Sequence, residues 1–120
     1  MTLTTDQEKL IEGNNIIVLA TADQYGQPRA VFMGYPKCIN HRIVLVDNFM
    51  NITKRNIVEN PLVSILAYNK DYSVCLKISG KASYHTDSSH LEWAKGLEEN
   101  KDLNPKGVVE VIIDNVEESK

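Results

Sequence analysis

The sequence predicts a mainly β protein: a small antiparallel barrel of six strands with short accessory helices. Three observations carry that prediction. Six stretches read as strands, and most of the connections between them are of hairpin length. Helical stretches are too few to serve as the crossovers that a parallel sheet requires. The longest strand alternates strictly. Val74, Leu76, Ile78, Gly80, Ala82 and Tyr84 share one face, and Ser73, Cys75, Lys77, Ser79, Lys81 and Ser83 share the other. A sustained period of two belongs to an antiparallel strand with one face in water.

Each element has a local reason. The chain opens with a helix, where Thr5 and Glu8 have capping-box spacing and Gly13 is placed for a left-handed stop. Ile16 to Ala22 is β-branched and apolar, a strand. Asp23 to Pro28 is a turn in which Gly26 takes positive φ and Pro28 fixes re-entry. Arg29 to Tyr35 returns as the second strand, Pro36 to His41 turns again, and Arg42 to Asp47 forms the third. A short helix spans Ile52 to Glu59 and ends at Asn60-Pro61, because a residue before proline avoids the α region. Leu62 to Tyr68 and Ser73 to Tyr84 are the fourth and fifth strands. Ser89 and Glu92 repeat the capping-box spacing ahead of a helix lined by Leu91, Ala94 and Leu97, and Gly107 to Val116 closes the barrel.

Composition narrows the function. The 120 residues are 42% hydrophobic and 24% charged, an ordinary balance for one globular domain. A formal charge of −3 argues against nucleic acid as partner, since that contact needs a basic footprint. No apolar run approaches the ~20 residues that span a bilayer. The polar, acidic stretch Met1 to Glu12 is unlike a signal or transit peptide, so a cytoplasmic protein with Cys38 and Cys75 as reduced thiols is expected. Neither a phosphate-binding loop nor a dinucleotide fingerprint is present in the sequence. Cys38 and His41 lack a second ligand pair at useful spacing, so no metal site is expected.

The informative stretch runs from Ile43 to Ile57. An apolar strand ends, amide and hydroxyl side chains follow, and a helix begins with Lys54 and Arg55 in its first turn and no carboxylate. A helix start offers unpaired N–H groups and a partial positive charge of about half a unit, a seat for phosphate. The alternative is that Asn51 caps the helix while Lys54 and Arg55 face solvent.

Three segments in order carry a resemblance. They are Ala20-Thr21-Ala22-Asp23 with Gly26 and Pro28, then Asp47-Asn48-Phe49-Met50-Asn51-Ile52-Thr53 leading through Asn56 to Glu59-Asn60-Pro61, and Lys77-Ile78-Ser79-Gly80-Lys81-Ala82. From about Asn15 to Val116 the chain resembles the flavin-binding split-barrel family related to pyridoxamine 5′-phosphate oxidase, particularly its small stand-alone members. That resemblance implies a single domain over residues 1–120, a six-stranded antiparallel split β-barrel. It implies a homodimer with flavin mononucleotide (FMN) in clefts between subunits. Val31, Phe32 and Met33 would lie beside the isoalloxazine ring, and Val46, Asp47 and Asn48 would meet its edge. Asn51, Ile52 and Thr53 would grip the phosphate. Many relatives carry a lysine immediately before that threonine, where this chain has Ile52. A lost charge-assisted contact is worth about 1.5–3 kcal/mol, or about ten- to a hundred-fold in Kd, and Lys54 or Arg55 is the candidate replacement.

The implied function is an FMN-dependent oxidoreductase with a small-molecule or redox-protein electron partner, and Arg29 and Lys77 as candidate substrate-side cations. The alternatives are a non-catalytic flavin-binding electron carrier, and a split barrel holding haem or a deazaflavin. Haem would draw on His41, His85 or His90 as axial ligand.

Overall fold

Alternating burial along the strands decides which faces meet. The computed structural model describes residues 2–13, 16–47, 51–87, 89, 92–93 and 106–119. Within them run helix α1 (Thr5–Gly13), strands β1 (Ile16–Ala22), β2 (Pro28–Gly34), β3 (Lys37–Ile39) and β4 (Arg42–Asp47), helix α2 (Ile52–Glu59), and strands β5 (Leu62–Tyr68), β6 (Cys75–His85) and β7 (Gly107–Ser119). All the strands join one antiparallel sheet in the order β2-β1-β5-β6-β7-β4-β3. The sheet curls until β2 meets β4, giving a mainly β half-barrel of the split-barrel kind.

The inner face of this sheet is the core. Ile17 and Leu19 of β1, Ile65 of β5, Leu76 and Ile78 of β6 and Val111 of β7 are all fully buried on it. Along β6 the predicted alternation holds: Leu76, Ile78 and Ala82 are buried, while Lys77, Ser79, Lys81 and Ser83 are exposed. Strand β4 is buried on both faces. Ile43 and Leu45 join the main core, and Val44 and Val46 pack with Val108 and Trp93 on the other side.

The helices close the ends of the barrel. Helix α1 buries Ile11 and packs on β3 and β5. Its capping box sits one residue earlier than expected: the Gln7 amide donates to Thr4 Oγ1 at 3.1 Å, and the Thr4 amide donates to Gln7 Oε1 at 2.9 Å. Gly13 is not left-handed; among the described residues the positive-φ glycine is Gly26, at 85° in the β1–β2 turn. Helix α2 turns Thr53, Asn56 and Ile57 inward, the i, i+3, i+4 spacing of one helical face. It ends as the proline rule predicts, with Asn60 extended at φ −144° before Pro61.

The strand count is seven and not six. The stretch expected to be all turn contains β3, which pairs with β4 through Lys37↔Val44 and Ile39↔Arg42. Asn40 and His41 both take positive φ, 51° and 63°, the two-residue hairpin geometry whose twist matches the flanking strands. The expected helix lined by Leu91, Ala94 and Leu97 falls on positions outside the described residues. Among the described residues no helix is long and apolar enough to cross a membrane.

Candidate functional site

Strand β4 ends at one rim of the barrel, and α2 begins there. Asp47, the last residue of β4, shares the inward face of Ile43 and Leu45, and its side chain is fully buried. A buried carboxylate needs donors. The Tyr84 hydroxyl, from the end of β6, donates to Asp47 Oδ2. Burial first, then that hydrogen bond and the charge of Asp47, push the phenol well above its ordinary range. The backbone carbonyl of Asp47 accepts the Lys106 amide at 2.7 Å. Gly107 follows, and a Cβ there would come within 2.6 Å of the Tyr84 ring and 2.8 Å of the His85 carbonyl. The absence of a side chain at position 107 thus lets the ring lie against the start of β7.

The first turn of α2 faces this arrangement. Lys54 places its Nζ 4.8 Å above the centre of the Tyr84 ring, a cation–π contact. Asn51 occupies the N-cap position without capping: its side chain makes no bond to the helix amides. Its Oδ1 accepts from Lys106 Nζ at 3.0 Å instead. The first turn contains no acidic residue. Thr53 is 2% exposed, and its hydroxyl has no hydrogen-bond partner among the described residues. One turn on, Asn56 Nδ2 donates to Thr21 Oγ1 at 3.1 Å, both side chains buried, which fastens α2 to β1.

The candidate residues therefore separate into groups. Asp47, Asn51, Ile52, Thr53 and Lys54 come together at the rim, with Ile52 44% exposed. Val46 belongs to the same strand end, but its side chain packs away with Val44 and Val108. Asn48, with Phe49 and Met50, lies outside the described residues. On β2 the alternation divides the other three: Met33 is buried in the core, Val31 is packed against it, and Phe32 points outward at 75% exposure. Phe32 and Met33 thus lie on opposite faces of the sheet.

Of the other candidates, Arg29 and Lys77 are exposed on their strands. His41 is exposed in the β3–β4 turn, and His85 Nε2 lies 2.9 Å from Ser83 Oγ; His90 lies outside the described residues. No metal-binding cluster occurs among the described residues.

Three contributors were not found by sequence reasoning: Tyr84, Lys106 and Gly107. The alternation of β6 does place Tyr84 on the inner face. Nothing in the sequence, however, tells that β7 lies between β6 and β4 and so brings these residues beside Asp47.

Chemically, three features of the rim suit an anion. The first amides of a helix lack intrahelical partners, the residue suited to cap them is engaged elsewhere, and cations stand where carboxylates are usually favoured. A buried hydroxyl without a partner is a polar group that a ligand would complete.

Fold and rim together describe a split barrel in which α2 starts with an N-cap residue that does not cap, a buried threonine and a lysine. Residues 3–120 match the family model described as pyridoxamine 5′-phosphate oxidase. A protein of Methanocaldococcus jannaschii, MJ0282, described as uncharacterized, is 34% identical in an alignment 120 positions long that covers 95% of this chain and 78% of that one. The chain belongs to the pyridoxamine 5′-phosphate oxidase family.

Solved structures agree on the fold. HupZ of Group A Streptococcus superposes with a TM-score of 0.85 at 22% identity, over 96% of this chain and 92% of that one. An FMN-binding protein from Syntrophomonas wolfei gives 0.79 at 13% identity, over 94% and 83%. An F420 reductase gives 0.75 at 19%, over 96% and 98%.

Proposed function

We propose that this protein binds FMN as a dimeric flavoprotein, the phosphate resting at the start of α2, and acts as an oxidoreductase. One observation supports the reading above the others. The N-cap side chain makes no bond to the helix amides, and the threonine hydroxyl of the first turn is buried without a partner among the described residues. A phosphate satisfies both at once. Family membership points to the same group, and the fold likeness to an FMN-binding protein is consistent with it.

When bound, the flavin supplies hydride and electron transfer. The chain's own residues supply binding. Thr53 and the first amides of α2 hold the phosphate, while the Asp47–Tyr84 pair and the Asn56–Thr21 bond hold α2 against the barrel. A deazaflavin in the same seat is the second reading, favoured by the likeness to an F420 reductase that matches along almost its whole length.

The dimer belongs to this proposal because the outer face of β2, β1 and β5 is apolar, as the exposed Phe32 and Leu62 illustrate. The two free thiols suit a reducing, cytoplasmic setting.

The test is reconstitution. The purified full-length chain is titrated with FMN and, separately, with a deazaflavin, following flavin fluorescence and absorbance, and a nicotinamide reductant is then added. Saturable FMN binding with bleaching of the flavin band is expected. A chain that binds neither cofactor would refute the proposal, and one that binds only the deazaflavin would replace FMN by it.

A further inference from the structure

We propose that the outer face of the sheet carries an acyl-transfer site for short-chain carboxylic esters, with Ser83 as nucleophile and His85 as its base. The inference is independent of the flavin reading.

Ser83 and His85 flank Tyr84 along β6, so strand alternation turns both outward while Tyr84 faces the rim. The Ser83 hydroxyl lies 2.9 Å from His85 Nε2. On the other side of the ring, Asp87 Oδ2 stands 4.0 Å from Nδ1, and Asp87 Oδ1 accepts from Ser89 Oγ at 2.9 Å. A second carboxylate competes for the ring, because Glu110 Oε1 is 3.9 Å from Nε2. That same oxygen accepts from Arg42 Nη1 at 2.6 Å, which offsets its charge. The Asp87 carboxylate therefore decides the tautomer: the proton sits on Nδ1, and the Nε2 lone pair faces the Ser83 hydroxyl. Nucleophile, base and orienting carboxylate stand in the order that activates a serine.

A place for the substrate lies beside them. Ser83 registers with Glu110 on β7, and Glu110 with Val44 on β4. Over these strands is a recess of about 220 Å³, with apolar walls from Ile39, Val44 and Trp93 and polar ones from Ser89 and Glu110. Neighbouring strands are about 4.8 Å apart, so a short acyl chain reaches from the recess to Ser83.

Ser83 Oγ adds to the ester carbonyl as its proton passes to His85 Nε2. Arg42 keeps N–H groups beyond the one given to Glu110 and supplies the donor for the oxyanion. Collapse breaks the bond to the alcohol oxygen, which takes the proton from Nε2. Water then attacks the acyl-serine with His85 again as base, releasing the carboxylic acid and restoring the hydroxyl.

The full-length protein is assayed with p-nitrophenyl acetate and p-nitrophenyl butyrate. It is also treated with a fluorophosphonate probe whose attachment site is read by peptide mass spectrometry. Wild type is expected to turn over both esters, the butyrate faster, and to carry the probe on Ser83. Ser83→Ala and His85→Gln should each lose the label and about a hundred-fold or more in kcat. Their melts should match wild type, since Ser83 is exposed and the His85 side chain is 29% exposed. Asp87→Asn should lower kcat and leave KM unchanged.

A wild-type protein with neither turnover nor label overturns the proposal, as does a label on any other residue. Ser83→Ala working at the wild-type rate assigns the hydrolysis to another nucleophile and also overturns it. Unchanged kcat in Asp87→Asn removes its orienting role, and equal rates for the two esters remove the recess as the acyl pocket.

Discussion

Cys38 shows how much a single side chain takes from its surroundings. It sits on β3 beneath α1, where its backbone amide donates to Glu12 Oε2 at 2.9 Å. Burial, then the charges of Glu12 and Glu8, push its thiol up from 9.0 to about 12. The unfolded chain loses that proton near the ordinary value, while the folded protein keeps it. Between the two values the unfolded state binds fewer protons, so stability is fully present below about pH 9 and is lost as pH rises toward about 12. Thermal melts from neutral to strongly alkaline pH should therefore fall more steeply for wild type than for Cys38→Ala. Parallel slopes for the two would contradict this account. The sequence marks Cys38 as a reduced thiol but gives no sign of its acidic neighbours, because Glu8 and Glu12 reach it only once α1 packs on β3. The same limit applies at the rim. Thr53 and Asn56 are conspicuous in the sequence, but the partner of one and the lack of a partner at the other depend on how α2 lies against β1.

Elements were legible in proportion to the length of their periodic pattern. β6 alternates through eleven residues and was readable, whereas β3 has three and its hairpin turns on Asn40-His41 without a glycine. At α1 the sequence Thr4-Thr5-Asp6-Gln7-Glu8 contains two overlapping capping frames. The structure takes the Thr4–Gln7 frame, directly after the buried Leu3. The alternation of β6 also hid a feature. Gly80 reads as one more inward position, yet the pairing with β7 shifts register between Ser79 and Gly80, from Ser79↔Asn115 to Gly80↔Ile113. Asp114 is the extra residue of that bulge, which bends the sheet where it must curl. A Cβ at position 80 would stand 2.3 Å from the Ile112 carbonyl oxygen and 2.9 Å from Val111 Cγ1. The nearer contact is backbone, which cannot swing aside. Gly80→Ala should cost about 3 kcal/mol, read in urea as a lower midpoint with an unchanged slope. A midpoint equal to wild type would mean that β7 can retreat at no cost.

At the scale of the whole molecule, the outer face of the sheet has a pattern that one copy of the chain leaves unused. Phe32 registers with Val18, and Val18 with Leu66, so an apolar row crosses β2, β1 and β5. Beside it Ala30 registers with Ala20, and Ala20 with Ser64, a row of small side chains over which another surface can approach closely. Ile16 and Leu62 extend the patch at 46% and 58% exposure. The sequence already hinted at this, since the 29–35 stretch shows little polar alternation, but which strands would join it depends on the non-local pairing of β1 with β5. Wide apolar patches on a soluble protein mark association sites. The proposed occupant is a second copy related by a two-fold axis, because such an axis sets one apolar row against its own counterpart and a stable interface needs only about 1,000 Å² in total. Phe32→Glu tests this, because the native phenyl ring, 75% exposed, contributes little to the fold of a single chain. The variant should melt within a few degrees of a wild-type monomer yet sediment as a monomer at concentrations where wild type is a dimer. If FMN is shared between copies, its affinity should fall in the same variant while Lys54 is intact. A wild-type chain that sediments as a monomer, or a Phe32→Glu variant that remains dimeric, would show that the second copy does not sit on this face.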